Sequence, residues 1–178
     1  LASATQYHSP ESVQTAPTVV QAAAYAQYLG LWPCYTNRHI RIDGIATWVF
    51  TQESGSTLRT GLYQANADLT PGTLIADYGT VSGAGTGKKE ATGSTYVDAG
   101  WFFVAAWASN HTTVRWMRAT SFREPPFGSQ IALGRSYFAW VSSSTQDYSS
   151  GLPTNPPALT LADSTSNPNL PIAQYRFT

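Results

Sequence analysis

The three histidines are the first candidates for metal binding or acid–base chemistry, because imidazole is the commonest metal ligand among side chains. They are His8, His39 and His111, and they stand in three separate segments. No two of them have the short spacing of zinc ligands, and Cys34 is the single cysteine of the chain. The sequence therefore predicts no metal site and no internal disulfide.

Carboxyl groups are the next candidates, because a glycosidase needs two of them facing each other across a sugar. Four aspartates instead stand in or beside turn residues: Asp43, Asp68, Asp77 and Asp98. We expect them to bond nearby backbone, as turn aspartates commonly do. The glycine-rich run Gly85–Lys89 continues with glutamate, so it lacks the end of a phosphate-binding loop. The sequence predicts no catalytic residue and no cofactor.

Aromatic side chains remain, because sugar rings dock their apolar faces on exposed Trp and Tyr. Four tryptophans lie in apolar runs and are expected in the core: Trp48, Trp101, Trp107 and Trp140. Tyr148 stands instead in the polar segment SSSTQDYSSGLPTNPP, which we expect to be a long exposed loop. Trp116 shares a strand face with Arg118, which is typical of a solvated face, although it could also pack beneath the Arg118 stem. Tyr148 and Trp116 are the predicted ligand contacts.

The segments that position these residues are short, and turn residues separate them, which is the pattern of a β-sandwich. Asp43-Gly44 has the composition of a tight hairpin turn, and Thr70–Thr73 that of a type II turn. The stretch Ser82–Tyr96 is rich in glycine and predicts an exposed hairpin rather than a packed layer.

One segment has the composition of a central strand. Trp101–Ala108 is almost continuously apolar, which predicts a strand buried on both faces. Alternation then assigns Phe102, Val104 and Ala106 to one layer, and Trp101, Phe103, Ala105 and Trp107 to the other.

The chain is predicted to contain one domain and one extension. Residues 1–24 form an arm or linker, because they carry too little apolar surface to become ordered alone. Two interpretations compete at the junction: a helix from Thr18 to Gly30, and an extended strand through Tyr28–Tyr35. Residues 25–178 form the domain. The predicted fold is all-β, an antiparallel β-sandwich or jelly roll of about ten strands with an extended N-terminal arm.

Composition excludes two classes of partner. The 178 residues include 10 basic and 10 acidic side chains, and charged residues make up only 11% of the chain. A net charge of zero supplies no field to gather phosphates, so we expect no nucleic-acid partner. The longest apolar run is far shorter than the roughly 20 residues of a membrane-spanning helix, so we expect no membrane insertion.

The order of the segments resembles a β-sandwich domain of tailed-bacteriophage virion proteins, often the C-terminal domain of a tail-fibre or other appendage protein. The matching segments are YLGLWPCY, IRIDGIATWV, LRTGLYQANADLTPGTLIADYG, TGKK, DAGWFFVAAWA and NLPIAQYRFT. The most specific part is Arg59–Tyr63 followed by Pro71-Gly72 and by Asp77 with Gly79. The resemblance covers residues 25–178. It implies a β-sandwich, a surface or attachment role on the phage particle and a homo-oligomer, specifically a trimer. The expected partners are other copies of the chain, other virion proteins and, as a further candidate, bacterial surface glycan. The resemblance supplies no catalytic motif.

These observations lead to one expected function and two alternatives. The expected function is a non-enzymatic phage virion protein, a fibre-tip or surface-decoration domain for host attachment and particle assembly. The first alternative is a stand-alone carbohydrate-binding module, which would bind a glycan as a monomer. The second is a glycan hydrolase.

Overall fold

A computed structural model describes residues 7–8, 18–19, 28–109, 113–118, 137–143, 148–156, 159–163 and 171–178. Most of these residues are in β-strands. In chain order the strands are β1 (Tyr7–His8), β2 (Thr18–Val19), β3 (Tyr28–Thr36), β4 (Ile40–Thr51), β5 (Thr57–Ala65), β6 (Pro71–Ser82), β7 (Gly87–Val97), β8 (Gly100–Ala108), β9 (Arg115–Arg118), β10 (Tyr137–Ser143), β11 (Leu159–Asp163) and β12 (Gln174–Phe177). No helix in this part of the chain is long and apolar enough to cross a bilayer.

The strands form two antiparallel sheets that pack against each other. Sheet 1 has the order β1-β12-β4-β9-β2, and β7 pairs with the opposite edge of β4. Sheet 2 has the order β11-β10-β3-β8-β5-β6. Between the sheets lies a core to which both contribute, with Ile42 and Val49 from sheet 1 and Leu62 and Val104 from sheet 2. The predicted antiparallel β-sandwich is confirmed.

Strand β8 lies near the centre of sheet 2, between β3 and β5. Phe102, Val104 and Ala106 face the core between the sheets. Phe103, Ala105 and Trp107 face a second apolar cluster on the outer side of sheet 2. The alternation predicted for this strand is therefore confirmed, although Trp101 at its start is only half-buried.

Two of the predicted turns are wrong. Strand β4 continues through Asp43-Gly44, where its register with β7 shifts in a bulge. A Cβ on Gly44 would meet the Glu90 carboxylate, which would have to shift. Pro71-Gly72 begins strand β6, and the turn before it spans Asn66–Leu69, where the Leu69 backbone has a φ of 61°.

The glycine-rich stretch is also more ordered than expected. Gly87–Val97 forms strand β7, which pairs along β4 from Val49 to Ile40. Ala91 and Val97 lie in the core between the sheets. The prediction of an exposed hairpin without packing is therefore wrong for β7, because alternate residues of a polar edge strand still reach the core.

The N-terminal arm contacts sheet 1 at both of its described points. Tyr7 and His8 pair with β12, and Thr18 and Val19 pair with β9. Thr18, the expected helix cap, is itself in a strand. The strand interpretation of Tyr28–Tyr35 is confirmed, because β3 covers it.

Candidate functional site

Tyr148, the first predicted ligand contact, lies in a segment that packs against the outer side of sheet 2. We call residues 148–156 the strap. The Tyr148 side chain is half-buried, its ring meets Trp107 edge-on with 5.2 Å between centroids, and its hydroxyl lies 3.0 Å from the Thr57 Oγ1 atom. Burial raises the pKa of this tyrosine above its ordinary value. The expectation of an exposed loop is wrong for Tyr148, Leu152 and Pro156, while other residues of the strap are exposed as expected: Ser149, Ser150, Thr154 and Asn155. A ligand role for Tyr148 stays a prediction.

Trp116, the second predicted contact, lies in the core between the sheets. It is 1% exposed and faces the same core as Val49 and Leu58. The prediction of a solvated face is wrong, and the alternative that Trp116 simply packs is confirmed. The prediction for Trp48 is wrong in the opposite direction, because Trp48 was expected in the core and is 45% exposed. The side chain of Trp140 lies outside the described residues.

The most specific motif of the sequence holds the strap in place. The Arg59 Nε atom lies 3.0 Å from Asp77 Oδ2, and the Arg59 Nη1 atom donates to the Tyr148 carbonyl. Asp77 accepts hydrogen bonds from the backbone N–H groups of Gly79 and Leu152. This ion pair is therefore structural, and Asp77 does more than bond its own turn.

Tyr63 and Gly61, in the same motif, contact the strap directly. The Tyr63 hydroxyl donates to the Pro153 carbonyl at 2.7 Å, and burial raises the pKa of Tyr63. Gly61 leaves space for the Leu152 side chain, which a Cβ would displace. The motif thus explains packing rather than catalysis.

Two more of the four aspartates have partners in the structure, one distant in sequence and one in a turn. Asp43 accepts a hydrogen bond from Arg176, so its predicted role in a turn is wrong. Asp68 accepts from the backbone and hydroxyl of Thr70, which confirms the turn role and lowers the pKa of Asp68. No group of three or more potential metal ligands occurs among the described residues, and His111 lies outside them.

A cleft of about 200 Å³ opens at one end of the sandwich. Its floor includes Phe102 of β8 and Ile75 of β6, and the turn from β7 to β8 forms one wall. Six side chains define what we call the end cleft: Gln64, Ile75, Tyr96, Asp98, Trp101 and Phe102. Because strand ends and a connecting turn meet here, the end cleft has the position in which sandwiches commonly carry binding residues.

Aromatic rings form the rim of the end cleft. Tyr96 is 61% exposed, which makes it the most exposed of the large hydrophobic side chains described. Its ring stacks on His39 with 5.1 Å between centroids and 18° between planes. Trp101 meets Tyr35, its partner across β3 and β8, at 5.2 Å. These contacts orient Tyr96 and Trp101 before any ligand arrives, which reduces the entropy lost on binding.

Polar groups stand beside these rings. The Asp98 carboxyl is 95% exposed, and its Oδ1 atom lies 2.8 Å from His39 Nδ1. Gln64 is exposed at the end of β5. A carboxylate accepts hydrogen bonds at both oxygens, and an amide both donates and accepts. The end cleft therefore combines aromatic faces with the hydrogen-bonding groups that a sugar requires.

No family model, curated protein or solved structure matches this chain. A function for the chain therefore has to be argued from its own residues. The sequence did not indicate the end cleft, because Gln64, Ile75 and Trp101 come from three strands. The one available signal was the Asp98–Gly100 turn, which places Tyr96 and Trp101 five residues apart. The pairing of β8 with β5 and of β5 with β6 brings Gln64 and Ile75 to the same end.

Proposed function

We propose that this chain is a non-enzymatic domain of a phage virion protein, at a fibre tip or on the particle surface, and that it attaches to bacterial surface saccharide through the end cleft. The observation that carries the binding role is the exposed Tyr96 ring, which lines the end cleft together with Trp101 and the Asp98 carboxylate. The virion context is supported by the resemblance in segment order, since a fibre tip is where a phage contacts the host.

The end cleft suits binding better than hydrolysis. A glycosidase places two carboxyls about 5 to 9.5 Å apart across the sugar. Of the described residues that line the end cleft, Asp98 alone carries a carboxyl. Asp77 and Asp43 are engaged by Arg59 and Arg176, so both already have structural partners.

The site is tested by measuring how tightly variants with single surface substitutions bind glycan. Tyr96→Ala should weaken binding to extracted host surface glycans roughly two- to tenfold, the cost of one stacked ring. Trp48→Ala is the matched control, because Trp48 is also an exposed aromatic of sheet 1 but lies near the opposite end of β4. Thermal melts should show that both variants fold. Equal binding by wild type and Tyr96→Ala would contradict the proposal.

A second candidate is the stand-alone carbohydrate-binding module. The end cleft supports it as well, but a module would be a monomer, whereas the virion domain would be an oligomer. We propose a trimer, which the resemblance to phage virion domains supports, and we propose that the arm takes part because it has apolar positions but no core of its own. Light scattering should give the mass of a trimer for the full chain and a smaller mass after deletion of residues 1–24. A full chain that is monomeric and still binds glycan would favour the module, and labelling on intact particles would decide the location.

A further inference from the structure

We infer that the end cleft selects a sugar unit that carries no acidic group. The inference rests on the saccharide site proposed above and concerns the class of sugar that this site accepts. It excludes uronic acids, sialic acids and phosphorylated sugars as ligands, and it admits neutral and amino sugars. Three features of the end cleft carry it.

The first feature is the charge of the lining. Asp98 carries the one carboxyl group of the described lining, which contains no Lys, Arg or His. Its carboxyl projects almost fully into solvent, so an acidic group on a sugar stacked against Tyr96 would face a like charge. Like charges repel at a binding site, although water screens the repulsion of an exposed carboxyl, and such repulsion is a general means of rejecting a competing ligand.

The second feature is that two neighbouring arginine side chains are held away from the lining of the end cleft. The Arg38 guanidinium lies over the Phe177 ring at 5.6 Å, and the Arg41 Nε atom donates to the Thr178 hydroxyl. Both contacts hold the arginines toward the C-terminal strand. His39 is hydrogen-bonded to Asp98 itself. Recognition of a sugar carboxylate or phosphate typically uses an arginine fork, and neither arginine is held at the lining.

The third feature is size and hydrogen-bonding capacity. The cleft volume of about 200 Å³ is below the range of roughly 300–1,000 Å³ that is usual for drug-sized ligands. It therefore suits a single ring at the end of a glycan rather than a long stretch of polymer. The Asp98 oxygens have acceptor sites beyond the one that meets His39, and these can take hydroxyl or amino hydrogens of the sugar.

The test compares fully methyl-esterified oligogalacturonates with free oligogalacturonates of the same length, since the two share one backbone and differ in whether the carboxyl group carries a charge. Calorimetric titration of the full chain should show binding to the neutral oligomer, with the acidic oligomer roughly two- to fivefold weaker at low ionic strength. Asp98→Asn should narrow this gap in affinity between the two oligomers, and it should weaken binding of the neutral oligomer. Asp68→Asn is the control, because it removes an equally exposed charge from a turn outside the lining, and it should leave the gap unchanged.

The failure of this inference is distinguishable from failure of the proposed function. If the acidic oligomer binds as tightly as the neutral one, and Tyr96→Ala weakens both, the site is correct and the selectivity is wrong. The selectivity would also be overturned if Asp98→Asn and Asp68→Asn changed the affinity difference between the two oligomers equally. The effect would then come from the overall charge of the protein. If neither oligomer binds, or if Tyr96→Ala changes nothing, the saccharide site itself is overturned together with the inference.

Discussion

Gly61 lies where the strap crosses strand β5, and its missing side chain decides how closely the two approach. A Cβ at this position would collide with the Leu152 side chain and would come within 2.5 Å of the Ala76 carbonyl oxygen. The backbone of Gly61 has no positive φ, so its role is steric rather than conformational. One glycine in a strand therefore allows the strap to cover the outer face of sheet 2.

Gly61→Ala should lower the free energy of unfolding by about 1 to 3 kcal/mol, the usual cost of overpacking. Urea unfolding measures the effect. The control is Leu152→Ala, alone and combined with Gly61→Ala, because removing the Leu152 methyl groups relieves part of the collision. The Gly61→Ala cost should be smaller in that background, as expected for residues in contact. Strictly additive costs would contradict the proposed contact.

Strand β8 is the element on which both apolar clusters depend. Phe102 is 1% exposed beneath sheet 1, and Phe103 is 1% exposed beneath the strap. A sheet with one solvated face would bury only alternate residues. The outer face of sheet 2 is buried here because the strap supplies Leu152 and the half-buried Tyr148 ring. The strap is thus a third layer over part of the sandwich.

Phe103→Ala should reduce the free energy of unfolding by about 3 to 5 kcal/mol, the typical loss for an aromatic deletion in a core. Tyr96→Ala, on the neighbouring strand in sequence, is the control, and as an exposed residue it should change stability by less than about 0.5 kcal/mol. Urea melts of the two variants give both values. A Phe103→Ala variant as stable as wild type would show that the strap does not bury this face.

At the scale of the whole molecule, a charged network attaches the N-terminal arm to the outer face of sheet 1. Lys88 and Arg176 lie over the Tyr7 ring at 4.8 and 5.7 Å. Glu90 pairs with both cations, at 3.1 Å to Lys88 and 2.9 Å to Arg176. Burial acts to raise the pKa of Glu90, but hydrogen bonds with Tyr7 and Lys88 and the charge of Arg176 outweigh it, so the pKa is lowered.

Arm attachment should weaken in acid. Because folding lowers the pKa of Glu90, its charged form contributes stability above the ordinary value of 4.5, and this contribution is lost as the pH falls through the folded-state value. Glu90→Gln should therefore be less stable than wild type near neutral pH, and the difference should shrink below about pH 4.5. Urea unfolding over this range measures it. A difference that stays constant with pH would assign the effect to packing of the side chain instead of its charge.

Much of the fold was predictable from local pattern. The alternation of Phe102 with Phe103 indicated a strand buried on both faces, because each strand residue points opposite to its neighbour whatever lies around it. The turns predicted at Asp43-Gly44 and Pro71-Gly72 were wrong because a local pattern does not show which strand pairs with it. Either dipeptide fits a turn or a bulge, and the strand that pairs with it decides between them.

The sequence by itself determined the all-β class, the central position of β8 and the low charge of the chain, since these depend on composition and period. Tertiary structure alone decided which tryptophan is buried and which residues form the end cleft. Trp116 and Trp48 lie on strands of similar pattern, yet one faces sheet 2 and the other faces solvent. The side of a strand that is covered depends on partners distant in sequence, as with Arg59 and Tyr148, and such contacts leave no local period to read.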